Sequence, residues 1–173
     1  KEFPLKLGAK CIDIPLLGED FSLDVKGILN VINDKTRLIF ITSPNNPTGT
    51  HLSKNQIDEL VEKMPDHVIL VFDEVYYQYA DANDYVRALP YILEGKNVIA
   101  VNSFSKAYGL AGLRVGYSYS TPEISNYLRQ LRIPFMINSL SMDAAIAALD
   151  DDDFIERTVE LVHTEKQFLY SEL

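Results

Sequence analysis

The sequence predicts an α/β fold: a three-layer α/β/α arrangement around a mostly parallel sheet, trailing into C-terminal helices. Three observations predict it. Short β-branched apolar runs alternate with stretches of helical period as far as Ser118. The runs are about four to eight residues long and bounded by turn formers, as buried strands are. Beyond Ser118 the chain has helical period throughout, without repeats or low-complexity linkers.

In order, the predicted strands are Ala9 to Pro15, Arg37 to Thr42, His67 to Phe72, Asn97 to Val101 and Arg114 to Ser118. Helices are predicted between them at Asp24 to Asn33, Ser53 to Met64 and, shorter, Val86 to Leu93. Ser53 is placed as an N-cap, because its hydroxyl can accept from an otherwise unpaired first-turn amide. Alternating strands and helices imply right-handed crossovers and parallel pairing. The C-terminal third predicts helices at Pro122 to Leu131, Asn138 to Leu149 and Asp153 to Leu173. In the last, Ile155, Val159, Val162 and Leu169 form a stripe, and the acidic run Asp150 to Asp153 complements the positive end of the helix dipole. Residues 1–150 are read as one partial domain and 151–173 as the start of a long helix leading to a further, smaller one.

Bulk composition narrows the function. A chain of 173 residues with 47% hydrophobic and 24% charged residues is long enough to bury a core and ordinary for a globular domain. Its formal net charge of -9 opposes general nucleic-acid binding, though not a local anion pocket. The single Cys11 cannot form an internal disulfide, which points to a reducing compartment. No apolar run approaches the roughly 20 residues that span a bilayer, and no signal peptide opens the chain, so the cytoplasm is expected. Starting at Lys1 without methionine and stopping inside a helix, the chain reads as a piece of something longer.

In open α/β sheets ligands bind beyond the carboxyl ends of the strands. The second predicted strand runs into Ser43-Pro-Asn-Asn-Pro-Thr-Gly49, the third into Asp73-Glu-Val-Tyr76 and the fourth into Asn102-Ser-Phe-Ser-Lys106. An amide, a carboxylate and an amine thus converge on one edge. Taken singly, Pro44 to Gly49 suits a plain turn, Asp73 a helix cap and Lys106 a surface lysine. Asp73-Glu74 would also suit a magnesium-binding nucleotidase, but the Gly-rich phosphate loop which that chemistry requires does not occur. His51, His67 and His163 lack zinc-ligand spacing, and no serine stands in a G-x-S-x-G elbow.

Together, Ser43 to Gly49, Phe72-Asp-Glu-Val-Tyr76 and Ser103-Phe-Ser-Lys-Ala-Tyr-Gly-Leu-Ala-Gly-Leu-Arg-Val-Gly-Tyr117 resemble the fold-type I aminotransferases, and the histidinol-phosphate aminotransferases most closely. The resemblance runs over nearly the whole chain. It implies pyridoxal 5′-phosphate (PLP) as cofactor, bound to Lys106 as a Schiff base, with Lys106 also the base that moves the proton at the substrate's Cα. It implies Asp73 at the pyridine nitrogen, Asn46 and Tyr76 at the phenolic oxygen, and Ser103, Ser105 and Arg114 at the phosphate. Gly109 and Gly112 would turn the chain back after the lysine. The resemblance also suggests that the strand near Arg114 runs antiparallel, and it makes Asn46–Pro47 a candidate cis bond.

The implied reaction is transamination between an amino-acid-like donor, histidinol phosphate favoured, and a 2-oxo acid such as 2-oxoglutarate, by a homodimer that binds neither nucleic acid nor membrane. A decarboxylase or lyase of the same fold and a non-catalytic PLP-binding regulatory domain stay open. Several parts that such enzymes carry do not precede Ala9 or follow the last helix: a Gly-rich phosphate turn, a ring-stacking aromatic, a substrate-binding small domain and a segment that crosses to the partner. The chain alone is therefore expected to be inactive or nearly so.

Overall fold

The computed structural model describes residues 2–173; Lys1, the first residue of the expected N-terminal domain, lies outside the described residues. The elements follow in the order α1 (Glu2–Lys6), α2 (Val25–Val31), β1 (Leu38–Thr42), α3 (Lys54–Lys63), β2 (Ile69–Asp73), a 3-10 turn (Tyr77–Tyr79), α4 (Leu89–Leu93), β3 (Val98–Ser103), a second 3-10 turn (Ala111–Leu113), β4 (Gly116–Ser120), α5 (Pro122–Gln130), α6 (Ser139–Leu149) and α7 (Asp152–Glu172). The sheet has the strand order β1-β2-β3-β4. Its first two pairings are parallel and β4 runs antiparallel to β3, as the resemblance suggested. The architecture is the expected α/β class.

Strand register explains the core. Ile39, Leu70 and Val98 align across the sheet, as do Ile41, Phe72 and Ala100, so these residues share one face. They are buried in one cluster with Val25 and Ile28 of α2, Ile57, Leu60 and Val61 of α3, and Tyr91 and Ile92 of α4. The other face carries Leu38, Phe40 and Val71, and at β1 it is open, with Phe40 65% exposed. A second, smaller cluster joins Phe104 and Val115 to Ala145 of α6.

Local chemistry sets the helix ends. Ser53 caps α3 as expected: its hydroxyl accepts from the Gln56 amide, and the Gln56 side chain takes the Ser53 amide in return. Asp24 caps α2, Asn138 caps α6 and Asp151 caps α7, each side chain accepting from the amide three residues on. The third predicted helix is shorter than expected, starting at Leu89 rather than Val86. Pro90 explains this, because proline is tolerated only in a first turn, where its missing N–H costs nothing.

One expected strand does not form. Residues 9–16 are irregular, and this stretch makes no ladder with the sheet, which ends at β1. A β-branched run becomes a strand only beside a partner that satisfies its amides. Here Ile14 packs on the core while Ile12 faces outward. The stripe expected in the last helix also stays largely uncovered: α7 buries none of its side chains fully.

Candidate active site

Three chain segments meet at the carboxyl ends of β1, β2 and β3. After β1, the loop 43–50 is held rigid from within. The Asn45 amide donates to the Thr50 carbonyl (2.7 Å), the Gly49 amide to the Asn45 carbonyl (2.8 Å), and Asn45 Nδ2 to Thr48 Oγ1 (2.7 Å). Gly49 has φ of 71°, a left-handed conformation that glycine takes without steric cost. Both Ser43–Pro44 and Asn46–Pro47 are cis, the second as the resemblance suggested. Ser43 is fully buried and its hydroxyl accepts from the Leu52 amide at 2.9 Å, clamping the loop's base. Asn46 is left exposed at the tip.

From there Asn46 Nδ2 donates to the Tyr76 hydroxyl at 3.1 Å, joining residues 30 apart in sequence. Lys106 Nζ stands over the same tyrosine ring, 5.7 Å from its centroid. An amide, a phenol and a primary amine are thereby brought together. Asp73 ends β2, and its Oδ1 accepts from the Val75 amide at 3.1 Å, which fixes the direction of the carboxylate. It aligns with Thr42 and Val101 on the sheet face opposite the helix-covered core.

Ser103 ends β3, and its hydroxyl accepts from the Ser105 amide at 3.0 Å, so the two serines lie in one tight turn leading to Lys106. Arg114 is not brought to them: it is exposed, and its Nη1 donates to the Ala111 carbonyl of its own turn at 2.8 Å. Arg114 itself has φ of 51°, a conformation that costs a non-glycine residue roughly 1 kcal/mol and is held here by the turn. Of the two glycines expected to reverse the chain, Gly109 has a positive φ of 69°, whereas Gly112 does not and a side chain there would meet open space. The reversal therefore uses Gly109 and Arg114.

The residue missed in the sequence is Glu74. It follows Asp73 yet is fully buried, on the opposite side of the chain. Its Oε1 accepts from Arg87 Nη2 (2.8 Å) and Nε (3.2 Å), from Asn102 Nδ2 (3.0 Å) and from the Tyr119 hydroxyl, while Oε2 takes the Ala88 amide (2.9 Å). Arg87 also stacks over the Tyr77 ring, 3.6 Å from its centroid. Burial opposes the Arg87 charge, but hydrogen bonding and attraction to Glu74 outweigh it and raise the arginine's pKa further. Burial, with the Glu74 charge, raises the Tyr119 phenol, and burial pushes Tyr108 up to about 12. These phenols stay neutral donors at neutral pH. The signal available was a lone arginine inside the apolar stretch from Val86 to Leu93.

The surface so built offers an amine beside a phenol–amide pair, a directed carboxylate and a hydroxyl-bearing turn. It suits a phosphorylated aromatic aldehyde: the amine for the carbonyl, the carboxylate for a ring cation and the hydroxyls for the phosphate. Residues 7–173 match the family model described as aminotransferase class I and II. The histidinol-phosphate aminotransferase 2 of Carboxydothermus hydrogenoformans is 41% identical over 162 residues, which cover 93% of this chain and 44% of that protein. The histidinol-phosphate aminotransferase of a Geobacillus species is 43% identical over 153 residues, covering 88% of this chain and 41% of its own. The crystal structure of histidinol-phosphate aminotransferase from Sinorhizobium meliloti in complex with pyridoxal-5′-phosphate aligns at a TM-score of 0.83 and 30% identity, over 92% of this chain and 43% of that one. The chain thus spans less than half the length of the curated relatives it matches.

Proposed function

The chain belongs to the class I and II aminotransferases, and from that premise we propose that it is the PLP-binding part of an enzyme exchanging an amino group between an amino-acid-like donor and a 2-oxo acid. The observation that carries this is the Asn46–Tyr76 hydrogen bond with the Lys106 amine above the same ring. It unites the three motifs at one point.

The residues present fit the cofactor. PLP, when bound, supplies an electron sink for the charge left at the substrate's α-carbon. Lys106 Nζ would hold the cofactor, and its amine would take and return the proton at that α-carbon. Asp73 would face the ring nitrogen, where its directed carboxylate would favour the protonated ring. Asn46 and Tyr76 would donate to the phenolic oxygen, and Ser103 and Ser105 to the phosphate. Arg114, exposed on its own turn, would supply a guanidinium for that phosphate.

Histidinol phosphate is the proposed donor, supported by the names of the relatives, and 2-oxoglutarate the proposed acceptor. Residues 1–150 are assigned to the cofactor-binding domain and 151–173 to the helix that leads on to a smaller one. A homodimer is supported by the exposed apolar surface from Leu131 to Leu149, in which Phe135 is 100% and Leu140 76% exposed. No described helix is long and apolar enough to cross a membrane, and the lone Cys11 agrees with a cytoplasmic setting.

The test is cofactor uptake. The chain mixed with PLP develops the visible band of a lysine-bound cofactor, borohydride fixes it, and peptide mapping finds the label on Lys106. Lys106→Ala removes the band. A label on any other lysine, or no uptake, sinks the assignment. For the donor, kcat/KM of the full-length enzyme with histidinol phosphate exceeds that with aspartate or phenylalanine by about tenfold or more, since a site built to bind polar groups rejects a substrate that lacks them.

A further inference from the structure

Asp73 and Glu74 are adjacent acids with opposite fates. The first ends a strand at the edge where the site lies, and the second is 0% exposed. A carboxylate out of water is sustained only by a full set of donors, and one that collects them from several elements ties those elements together. The donors to Glu74 come from β3 (Asn102), β4 (Tyr119), and the residues leading into α4 (Arg87 and the Ala88 amide).

Glu74 and two of these partners lie close to the site along the chain. Asp73 precedes Glu74 in the chain, Ser103 follows Asn102, and Tyr76 precedes Tyr77, whose ring lies against Arg87. Arg87 Nη2 also donates to the Tyr119 hydroxyl at 3.1 Å, closing the ring of contacts. The carboxylate, the phenol and the serine turn are thus set by chain segments that all register on one buried group.

We propose that Glu74 is a positioning residue: its buried carboxylate, with Arg87, Asn102 and Tyr119, holds Asp73, Tyr76 and the Ser103–Lys106 turn at the separations a PLP molecule requires. The inference rests on the cofactor reading above, but its main test does not. Glu74→Gln keeps the volume and removes the charge that four side-chain contacts share.

In the cofactor-free chain, amide hydrogen exchange is compared at Val75 and Ser105, whose amides bond to Asp73 and Ser103, and at Leu60 and Val61 in α3. Glu74→Gln speeds the first pair about tenfold or more while the α3 pair changes less than about twofold, the pattern of a local opening. Tyr119→Phe, a milder change that leaves the charge in place, moves the same two amides by about threefold. Unchanged site amides, or site and α3 amides accelerated by one common factor, would overturn the proposal. With PLP added, Glu74→Gln raises the dissociation constant about tenfold, the factor that corresponds to about 1.4 kcal/mol, and moves the wavelength of the visible band. If the unaltered chain takes up no PLP, the cofactor reading fails, and the exchange result still decides the role of Glu74.

Discussion

Gly116 pairs with Ser103 across the β3·β4 ladder, and a Cβ there would lie 2.7 Å from the Asn102 carbonyl oxygen. That atom is backbone, so no side-chain rotation relieves the overlap and the two strands must part. Gly116→Ala is expected to cost about 1–3 kcal/mol, as overpacking does, read as a lowered urea midpoint with an unchanged slope. Because the displaced carbonyl belongs to the peptide that joins Asn102 to Ser103, PLP affinity should fall with stability. Tyr76→Phe makes a contrasting case: the ring stays over Lys106 while the hydroxyl that meets Asn46 is lost. Its expected effect is on PLP affinity, roughly tenfold for a hydrogen bond to a charged oxygen, with the urea midpoint unmoved. The motif types in the sequence were enough to nominate Asn46, Asp73, Tyr76 and Lys106. Glu74 was missed, because nothing in an Asp-Glu pair says which of the two acids a strand end turns inward, and the lone Arg87 does not name its partner.

At the scale of elements, α3 shows most directly how sequence becomes structure. Ser53 and Gln56 form the capping box, Ile57, Leu60 and Val61 face the sheet, and Lys54–Asp58 and Lys63–Glu59 pair along the outer side. Ser53→Ala should cost about 1 kcal/mol, measured by thermal or urea unfolding, while the exposed pair Lys63–Glu59 should contribute little. Strand and helix centres were legible from apolar period in nearly every case. The exception, residues 9–16, has a strand's composition without a strand's partner, and pairing is a property of the sheet rather than of the segment. The start of α4 was misjudged for a smaller reason: the period extends back to Val86, but Pro90 must sit in the first turn.

Taken as a whole, the molecule is unevenly secured. The sheet and α2, α3 and α4 share one buried cluster, whereas α7 buries no side chain fully and is tied to the region after β2 by the Lys166–Asp81 ion pair at 2.7 Å. Hydrogen exchange should therefore be fastest in α7 among the helices of normal length, since few buried contacts oppose its opening. The Asp81 carboxyl is held below its ordinary value by the hydrogen bond and charge of Lys166. A depressed native pKa contributes stability above the unfolded value and loses it as pH falls through the native one. The protection factors of amides in the C-terminal half of α7 should accordingly fall on acidification below about pH 4, and Lys166→Met should weaken that dependence. The sequence by itself determined the α/β class, the alternation of elements, the helix caps and the chemical types of the site, because apolar period, capping and turn chemistry act over a few neighbouring residues. Only the tertiary structure decided which runs pair, that Glu74 rather than Asp73 goes inside, and that Asn46, Tyr76 and Lys106 meet while Arg114 stays on its own turn. Those outcomes depend on contacts between residues tens of positions apart, which no local pattern records.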